Sequence, residues 1–336
     1  MAGLLFKLLY FGAAAGFSAL LLLLAIAPRL LGDEVAPGFS GPELGLCGLD
    51  NRGDVPIVIG GDCRAKFQVL PAIVSAARGQ ACINVAEPYP LGGDITSLAN
   101  AIRKNPLPLR SHPLIVVSVS MEAANDLDLK NLPFTLALNW SLREHARVAW
   151  AEPAAYAAYM WGAYIPSLKR ILVHTWKGDL FACHEGDPPY VSGNLAANLG
   201  YVSSPAKPDP AGMAEEAKPL RRMLDGANWR NLERSVAWLS RSGASGVVLY
   251  NAPLNPDWRR RYPDSEIRRA ETRFSAALAR LGESYRNSQG PKVRVIDFNA
   301  AGAPVFDASL FLDRRHMNRQ GAEIFSTILA DSIAAP

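Results

Sequence analysis

Short, wholly apolar runs alternate with helical patterns along much of the chain. Five runs predict buried strands, at residues 55–59, 82–86, 114–119, 246–250 and 293–298. The predicted helices carry one apolar face each: Phe67, Leu70, Ile73, Val74 and Ala77; then residues 95–104; then Leu232, Val236 and Leu239; then Ile267, Ala270, Phe274, Leu278 and Leu281; and a last helix from Asn318 through Leu329. Because the strands do not alternate with polar residues, both their faces are expected to be covered. The pattern predicts an α/β domain with a doubly wound parallel sheet.

The N-terminal part has a different pattern. Residues 8–28 carry no charge, and about 20 apolar residues suffice to cross a bilayer as a helix. We expect residues 1–31 to form a membrane anchor and residues 32–54, rich in Gly, Pro and acidic side chains, to form a tether. The alternative is a cleaved signal peptide, since Ala25-Ile26-Ala27 resembles a processing site. Pro28 directly after that site disfavours cleavage.

Residues 55–336 form the predicted folded domain, which is interrupted by an insertion at about residues 127–225. Residues 127–176 are aromatic-rich and predicted to be helical, whereas residues 205–219 read as a flexible loop. We expect the insertion to lie over one edge of the sheet. Its aromatic side chains are more typical of a core, although some could rest against a membrane interface.

Composition excludes several kinds of function. The net charge of +4 is small for 336 residues and indicates no nucleic-acid surface, and the basic run at residues 258–262 is predicted to be a solvated loop. The four cysteines, at positions 47, 63, 82 and 183, lack zinc-site spacing, and their disulfide pairing is open. Neither GxGxxG nor a P-loop follows the first strand, which disfavours a nucleotide-binding protein. We expect no metal and no cofactor.

Two short segments carry residues suited to chemistry. Residues 59–64 (IGGDCR) join a buried strand directly to a helix, so Cys63 is expected at the carboxyl edge of the sheet, where α/β proteins bind ligands. Residues 311–318 (FLDRRHMN) place Asp313 three residues before His316, so the carboxylate can orient the imidazole. Taken singly, each segment also fits a structural role: a small buried cysteine, and a surface Asp/His pair at a helix start.

Together, the two segments resemble the motifs of SGNH (GDSL-type) hydrolases. GDCR is similar to the GDS(R) nucleophile motif, and DRRHMN, followed by Gly321, is similar to the DxxHxN..G ending of that family. The resemblance implies an SGNH/flavodoxin-like three-layer fold, with Cys63 at the nucleophile position normally held by serine. It also implies His316 as the base and Asp313 as its orienting partner. The oxyanion-hole donors that it implies are the backbone N–H groups of Cys63 and of Gly92 or Gly93, together with Asn125 from the segment AAND.

The overall arrangement resembles the subgroup of SGNH proteins that partner membrane O-acyltransferases and modify alginate, other exopolysaccharides or teichoic acids. This implies a single-pass protein of the bacterial inner membrane with its folded domain in the periplasm. The expected function is an acyl esterase or acyltransferase that acts on envelope or secreted polysaccharide, with a membrane O-acyltransferase or another membrane complex as partner. The alternative that the serine-to-cysteine replacement leaves open is a catalytically inactive subunit of a larger membrane complex.

Overall fold

The sheet that the apolar runs predict is present. The computed structural model describes residues 56–86, 95–104, 112–121, 124, 142–165, 224, 226–261, 266–286 and 292–334. Its five strands are all parallel and are ordered β2-β1-β3-β4-β5. They span Ile57–Gly60 (β1), Cys82–Asn84 (β2), Leu114–Ser118 (β3), Gly246–Asn251 (β4) and Lys292–Asp297 (β5). The α/β class with a parallel sheet is therefore confirmed.

Helices cover both faces of this sheet. They are α1 (Cys63–Gln68), α2 (Pro71–Arg78), α3 (Ile95–Lys104), α4 (Leu142–Ala151), α5 (Pro153–Tyr159), α6 (Ala227–Leu239), α7 (Pro256–Arg261), α8 (Glu266–Arg286) and α9 (Arg319–Ala334). Side chains of α3, α6 and α8 pack in one apolar cluster with Val58, Val117 and Leu249. Side chains of α1, α2 and α9 pack in a second cluster with Ile59 and Val248. Successive strand residues thus point into different cores, which explains why the strands are apolar throughout.

The helical pattern after β1 is divided into two helices, which the sequence prediction missed. Leu70 is extended, with φ −97° and ψ 103°, and Pro71 begins α2. A proline disfavours the helical conformation of the residue before it but suits the first position of a new helix. The break turns the chain after the short helix α1, and α1 and α2 both contact α9.

The basic run at residues 258–262 is not the solvated loop that we predicted, because most of it belongs to α7. Asn255 caps this helix by accepting a hydrogen bond from the Asp257 N–H at 2.9 Å. Trp258 is buried in the core, and Arg259 donates to the carbonyl of Asn299 at 3.1 Å. The run therefore helps to attach the β4–α7 connection to the body of the domain.

The described part of the insertion consists of α4, α5 and a π-helical turn at Met160–Tyr164. Helix α4 is joined to α6 by Glu144, whose buried carboxylate pairs with Arg230 at 2.6 Å and with Arg234 at 3.5 Å. Whether the insertion lies over a sheet edge stays a prediction.

The predicted anchor, residues 1–31, and the tether, residues 32–54, lie outside the described residues. Among the helices that are described, none combines the length and the apolar character needed to cross a bilayer.

Candidate active site

The turn between β1 and α1 is shaped by two glycines. Gly61 has a φ of +120°, a conformation that side chains rarely tolerate. A Cβ atom at this position would lie 2.6 Å from the carbonyl oxygen of Ser118 and 2.7 Å from its nitrogen. A Cβ at Gly60 would lie 2.5 Å from the side chain of Leu98. The absence of side chains here lets Gly60 pack closely against α3 and Gly61 against β3, and Cys63 follows at the first position of α1.

Asp62 and Arg64 form a buried network beneath this turn. Asp62 Oδ1 accepts hydrogen bonds from the Arg64 N–H at 3.1 Å and from the Ser118 hydroxyl at 3.0 Å. The Arg64 guanidinium pairs with Asp62 Oδ2 at 3.2 Å and donates to the carbonyl of Val119 at 2.9 Å. Burial alone would raise the pKa of Asp62, but the charge and hydrogen bonds of Arg64 and the Ser118 hydroxyl lower it below its usual range. The network fixes α1 to the end of β3 on both sides of Cys63.

The two predicted chemical segments meet at the edge of the sheet. His316 Nε2 lies 3.1 Å from Cys63 Sγ, and His316 Nδ1 lies 2.6 Å from Asp313 Oδ2. The other carboxylate oxygen of Asp313 accepts the backbone N–H groups of Arg315 at 2.7 Å and His316 at 2.8 Å. The predicted juxtaposition of these three side chains is therefore confirmed, whereas their catalytic roles remain a prediction.

Residues 311–318, which carry His316, form a loop that we call the imidazole loop. Three further side chains hold this loop in place, and the sequence patterns did not identify them. The Asn255 amide donates to the Asp313 carbonyl at 3.3 Å, and its backbone N–H donates to the Arg314 carbonyl at 2.9 Å. The buried Gln68 amide donates to the carbonyl of Arg315. The ring of Phe67 meets the His316 imidazole edge to face, with centroids 5.8 Å apart. No sequence signal marks these contacts, since they join segments that are distant in the chain.

Electrostatics at the site favour a charged imidazole. Burial disfavours the charged form of His316, but hydrogen bonds to Asp313 and Cys63, together with their charges, outweigh it and raise its pKa to about 9. Burial likewise opposes ionisation of Asp313, yet its hydrogen bonds from His316 and from two backbone N–H groups lower its pKa to about 2. At neutral pH, Asp313 is therefore a carboxylate and His316 an imidazolium that faces the sulfur.

Cys63 itself is buried, whereas its two partners in the site are partly exposed. Cys63 is 8% exposed, and the side chains of His316 and Asp313 are 21% and 20% exposed. The N–H of Cys63 lies in the first turn of α1, where helical N–H groups have no partner within the helix. It can thus donate to a negatively charged oxygen that develops next to the sulfur.

The remaining predicted site residues cannot be placed. Gly92, Gly93 and Asn125 lie outside the described residues, as do Cys47 and Cys183. Among the cysteines that the structure describes, Cys63 and Cys82 are both free thiols, so these two are not joined by a disulfide. Burial raises the pKa of the Cys82 thiol, which lies at the start of β2. Within the described part of the chain, no group of three or more His, Cys, Asp or Glu side chains is arranged to hold a metal ion.

The arrangement as a whole is a thiol in contact with an imidazole that a carboxylate positions. It lies at the point in the sheet where strand order reverses between β1 and β3. This is the place where open α/β sheets bind their ligands. Comparison with known proteins adds no identity: no family model and no curated protein matches the chain.

Proposed function

We propose that the protein is a membrane-anchored, SGNH-like acyl esterase or acyltransferase that uses Cys63 as nucleophile, His316 as proton carrier and Asp313 as orienting carboxylate. The observation that carries this proposal is the continuous chain of contacts from Asp313 Oδ2 to His316 Nδ1 and from His316 Nε2 to Cys63 Sγ, at 2.6 and 3.1 Å. A nucleophile paired with a base that a third group orients is the arrangement required for covalent acyl transfer.

The fold supports the same assignment. The strand order 2-1-3-4-5 is the flavodoxin-like order, and helices cover both faces of the sheet. The nucleophile follows the first strand, and the Asp/His segment precedes the last helix. Both positions agree with the SGNH pattern that the GDCR and DRRHMN motifs suggest.

The proposed reaction begins with the thiolate of Cys63 attacking the carbonyl carbon of an ester. The carbonyl oxygen becomes an oxyanion beside the Cys63 N–H, and a preorganised donor of this kind stabilises it. Collapse of the intermediate breaks the ester C–O bond, and the leaving alkoxide takes the Nε2 proton of the imidazolium. The products of this half-reaction are an alcohol, a thioester on Cys63 and a neutral His316.

In the second half-reaction, His316 accepts a proton instead of donating one. Once the sulfur is acylated it carries no charge, so its contribution to the raised pKa of His316 is lost. The neutral Nε2 then removes a proton from water or from a hydroxyl group, whose oxygen attacks the thioester. Water as acceptor gives hydrolysis, whereas a sugar hydroxyl gives O-acylation. The thiolate and the imidazolium are restored together.

The substrate and location belong to the proposal through the subgroup resemblance and the uncharged residues 8–28. We propose that the acyl acceptor or donor is an envelope or secreted polysaccharide and that the domain is held at the periplasmic face of the inner membrane. A membrane O-acyltransferase is the proposed partner that supplies or receives the acyl group.

Hydrolysis of 4-nitrophenyl acetate by four variants of the full chain tests the assignment. Cys63→Ala is expected to lower turnover about a thousandfold or more, because the nucleophile is lost. His316→Ala is expected to lower it similarly, and mass spectrometry of the wild type should detect an acetyl group on Cys63 alone. Cys63→Ser should retain turnover, since serine is the usual nucleophile of the family. Cys82→Ala is the control, because it removes a thiol that lies in β2 and not in the site.

The second candidate function is the catalytically inactive subunit. It is favoured by the sulfur at a position where the family uses oxygen. An acetyl group that never reaches Cys63, with no turnover in either the wild type or Cys63→Ser, would establish this candidate and refute the enzyme. Turnover only in Cys63→Ser would show that the imidazole and oxyanion hole are functional and that the native thiol has lost turnover.

A further inference from the structure

The insertion presents an uncharged helical surface to solvent. From residue 153 to residue 165, through α5 and the π-helical turn, the chain has no charged side chain. One side of this segment is buried through Tyr156, Tyr159 and Met160. The opposite side is exposed and equally apolar. We call this exposed surface the tryptophan patch; it consists of Trp150, Ala151, Pro153, Ala154, Ala157, Ala158, Trp161 and Gly162.

Two tryptophans dominate the patch and are unusually exposed. Trp150 is 91% exposed and Trp161 is 75% exposed, and Leu142 on the same pair of helices is 41% exposed. A helix that is apolar on every side is expected to be covered on every side, either by protein or by lipid. Contiguous exposed apolar surface on a folded protein marks a site of interaction.

The dimensions of the segment favour a position along a bilayer rather than across it. Thirteen helical residues extend about 20 Å, which is shorter than the roughly 30 Å of a bilayer's hydrocarbon core. Apolar segments of this length suit an interfacial position, where tryptophan is the preferred side chain because its ring is apolar and its N–H is polar.

Charge around the patch fits a surface of anionic headgroups. Arg143 and Arg147 are exposed on α4 and precede Trp150 by seven and three residues, so all three lie on one side of the helix. Glu144, the acidic residue of α4, is buried in its pairing with Arg230, and Glu152, which lies between α4 and α5, is half-buried. Exposed tryptophans with arginines beside them are typical of interfacial helices that bind anionic lipid.

The sequence also indicates that a bilayer lies within reach of the tryptophan patch. Residues 8–28 are the uncharged run, and the 27 residues from 29 to 55 that connect it to the domain can extend at most about 90 Å. We propose that the tryptophan patch docks the domain onto the bilayer that holds residues 8–28, with the two tryptophans at the level of the headgroups and the arginines against anionic phosphates. This inference rests on the proposed membrane anchor but not on the chemistry of Cys63.

Quenching of tryptophan fluorescence by brominated lipid tests the proposal directly. The full chain is reconstituted in vesicles of phosphatidylethanolamine and phosphatidylglycerol whose acyl chains carry bromine, and its emission is compared with that in unbrominated vesicles. Wild-type emission should be quenched, and the double variant Trp150→Ala, Trp161→Ala should lose that quenching. Replacing phosphatidylglycerol with phosphatidylcholine should weaken it.

A pair of matched glutamate variants separates docking from folding. Ala157→Glu places a charge in the patch, and Ala276→Glu places the same charge on an exposed position of α8. Burial of one large apolar side chain changes an equilibrium about tenfold, and we expect Ala157→Glu to lower the ratio of docked to undocked domain by about that factor. Ala276→Glu should behave as wild type, and near-ultraviolet circular dichroism should be unchanged in both.

Three results would overturn the proposal. Wild-type emission that is not quenched refutes contact with lipid. Equal effects of Ala157→Glu and Ala276→Glu refute the patch as its location. Crosslinking of Trp161→Cys to a second copy or to another protein, without quenching by brominated lipid, assigns the patch to a protein interface instead. The esterase assay distinguishes all of these from failure of the proposed function, because it reports on Cys63 and not on the patch.

Discussion

Replacing Asp313 with asparagine should leave Cys63 without a charged imidazole beside it at pH 7.5 and should slow the reaction of its sulfur with alkylating reagents. The carboxylate lies 2.6 Å from His316 Nδ1, and it is the leading cause that raises the pKa of His316 to about 9. Asparagine keeps the size of the side chain but removes its charge. Burial, which lowers the pKa of His316, then acts with less opposition.

The expected size of the effect follows from the difference between the two pKa values. An ordinary histidine has a pKa near 6.5, so a value of about 9 corresponds to roughly 3 kcal/mol in favour of the imidazolium. At pH 7.5 nearly all of wild-type His316 is charged. If the pKa of His316 in Asp313→Asn returns to its ordinary value, about a tenth is charged at that pH. We therefore expect alkylation of Cys63 to slow about tenfold.

The pH dependence has a definite sign. Because the pKa of His316 is raised, the imidazolium that stabilises the thiolate is present below about pH 9 and is lost as the pH rises through that value. In Asp313→Asn an imidazole of ordinary pKa would be about three quarters charged at pH 6 and about a tenth charged at pH 7.5. Alkylation of wild type and variant should therefore be similar at pH 6 and differ about tenfold at pH 7.5.

Alkylation by iodoacetamide, followed by mass spectrometry of peptides between pH 6 and 9, measures this. Cys82 serves as an internal reference, since burial raises the pKa of its thiol and should keep it slow throughout. Asp307→Asn is the matched control, because Asp307 is an exposed carboxylate in the same region that caps the turn Ala308–Leu310. Equal rates for wild type and Asp313→Asn at pH 7.5 would refute the ion-pair argument.

The other predictions concern the turn, the loop and the N-terminus. Gly61→Ala should lower the free energy of unfolding, measured with urea, by about 3 kcal/mol or more, because the new Cβ would meet the Ser118 backbone at a φ of +120°. Gly79→Ala is also at positive φ, but no atom lies within 4 Å of its Cβ, so it should lower the free energy of unfolding by only about 1 kcal/mol. Asn255→Ala should lower kcat for ester hydrolysis about tenfold with KM little changed, because it positions the imidazole loop; Asn255→Asp, which retains the helix cap, should lower kcat equally, and an unchanged kcat in both would exclude the positioning role. Mass spectrometry of the mature protein should find residues 1–31 still attached, and an N-terminus near Pro28 would exclude the anchor.

The strands were predictable because a short run of wholly apolar residues is typical of a strand that is buried on both faces. All five predicted runs overlap an observed strand. The start of the last helix was equally clear, since Asn318 accepts a hydrogen bond from the Gly321 N–H at 2.9 Å and caps it. The contact of Cys63 with His316 followed from a motif pair and not from any local pattern.

What the sequence did not reveal depends on contacts between distant segments. The proline at position 71 should have suggested the break after α1, but the apolar period continues through it and concealed the boundary. Trp258 lies within a basic run, and only the packing of the completed core decides that its ring is buried. Gln68 and Asn255 bind backbone carbonyls of the imidazole loop, and any residue sequence can provide such carbonyls.

The hydrogen bond between Cys63 and His316 joins residues that are 253 positions apart. It depends on the packing of α9 on α1 and α2, which brings the C-terminal segment to the end of β1. Contacts of such long range form late, because closing a long loop costs entropy before the contact returns any free energy. During synthesis, Cys63 is made 253 residues before His316 and has no such imidazole beside it until the C-terminal segment has folded onto β1. Its reactivity appears only with the complete fold, so a truncated or misfolded chain would not carry an activated sulfur.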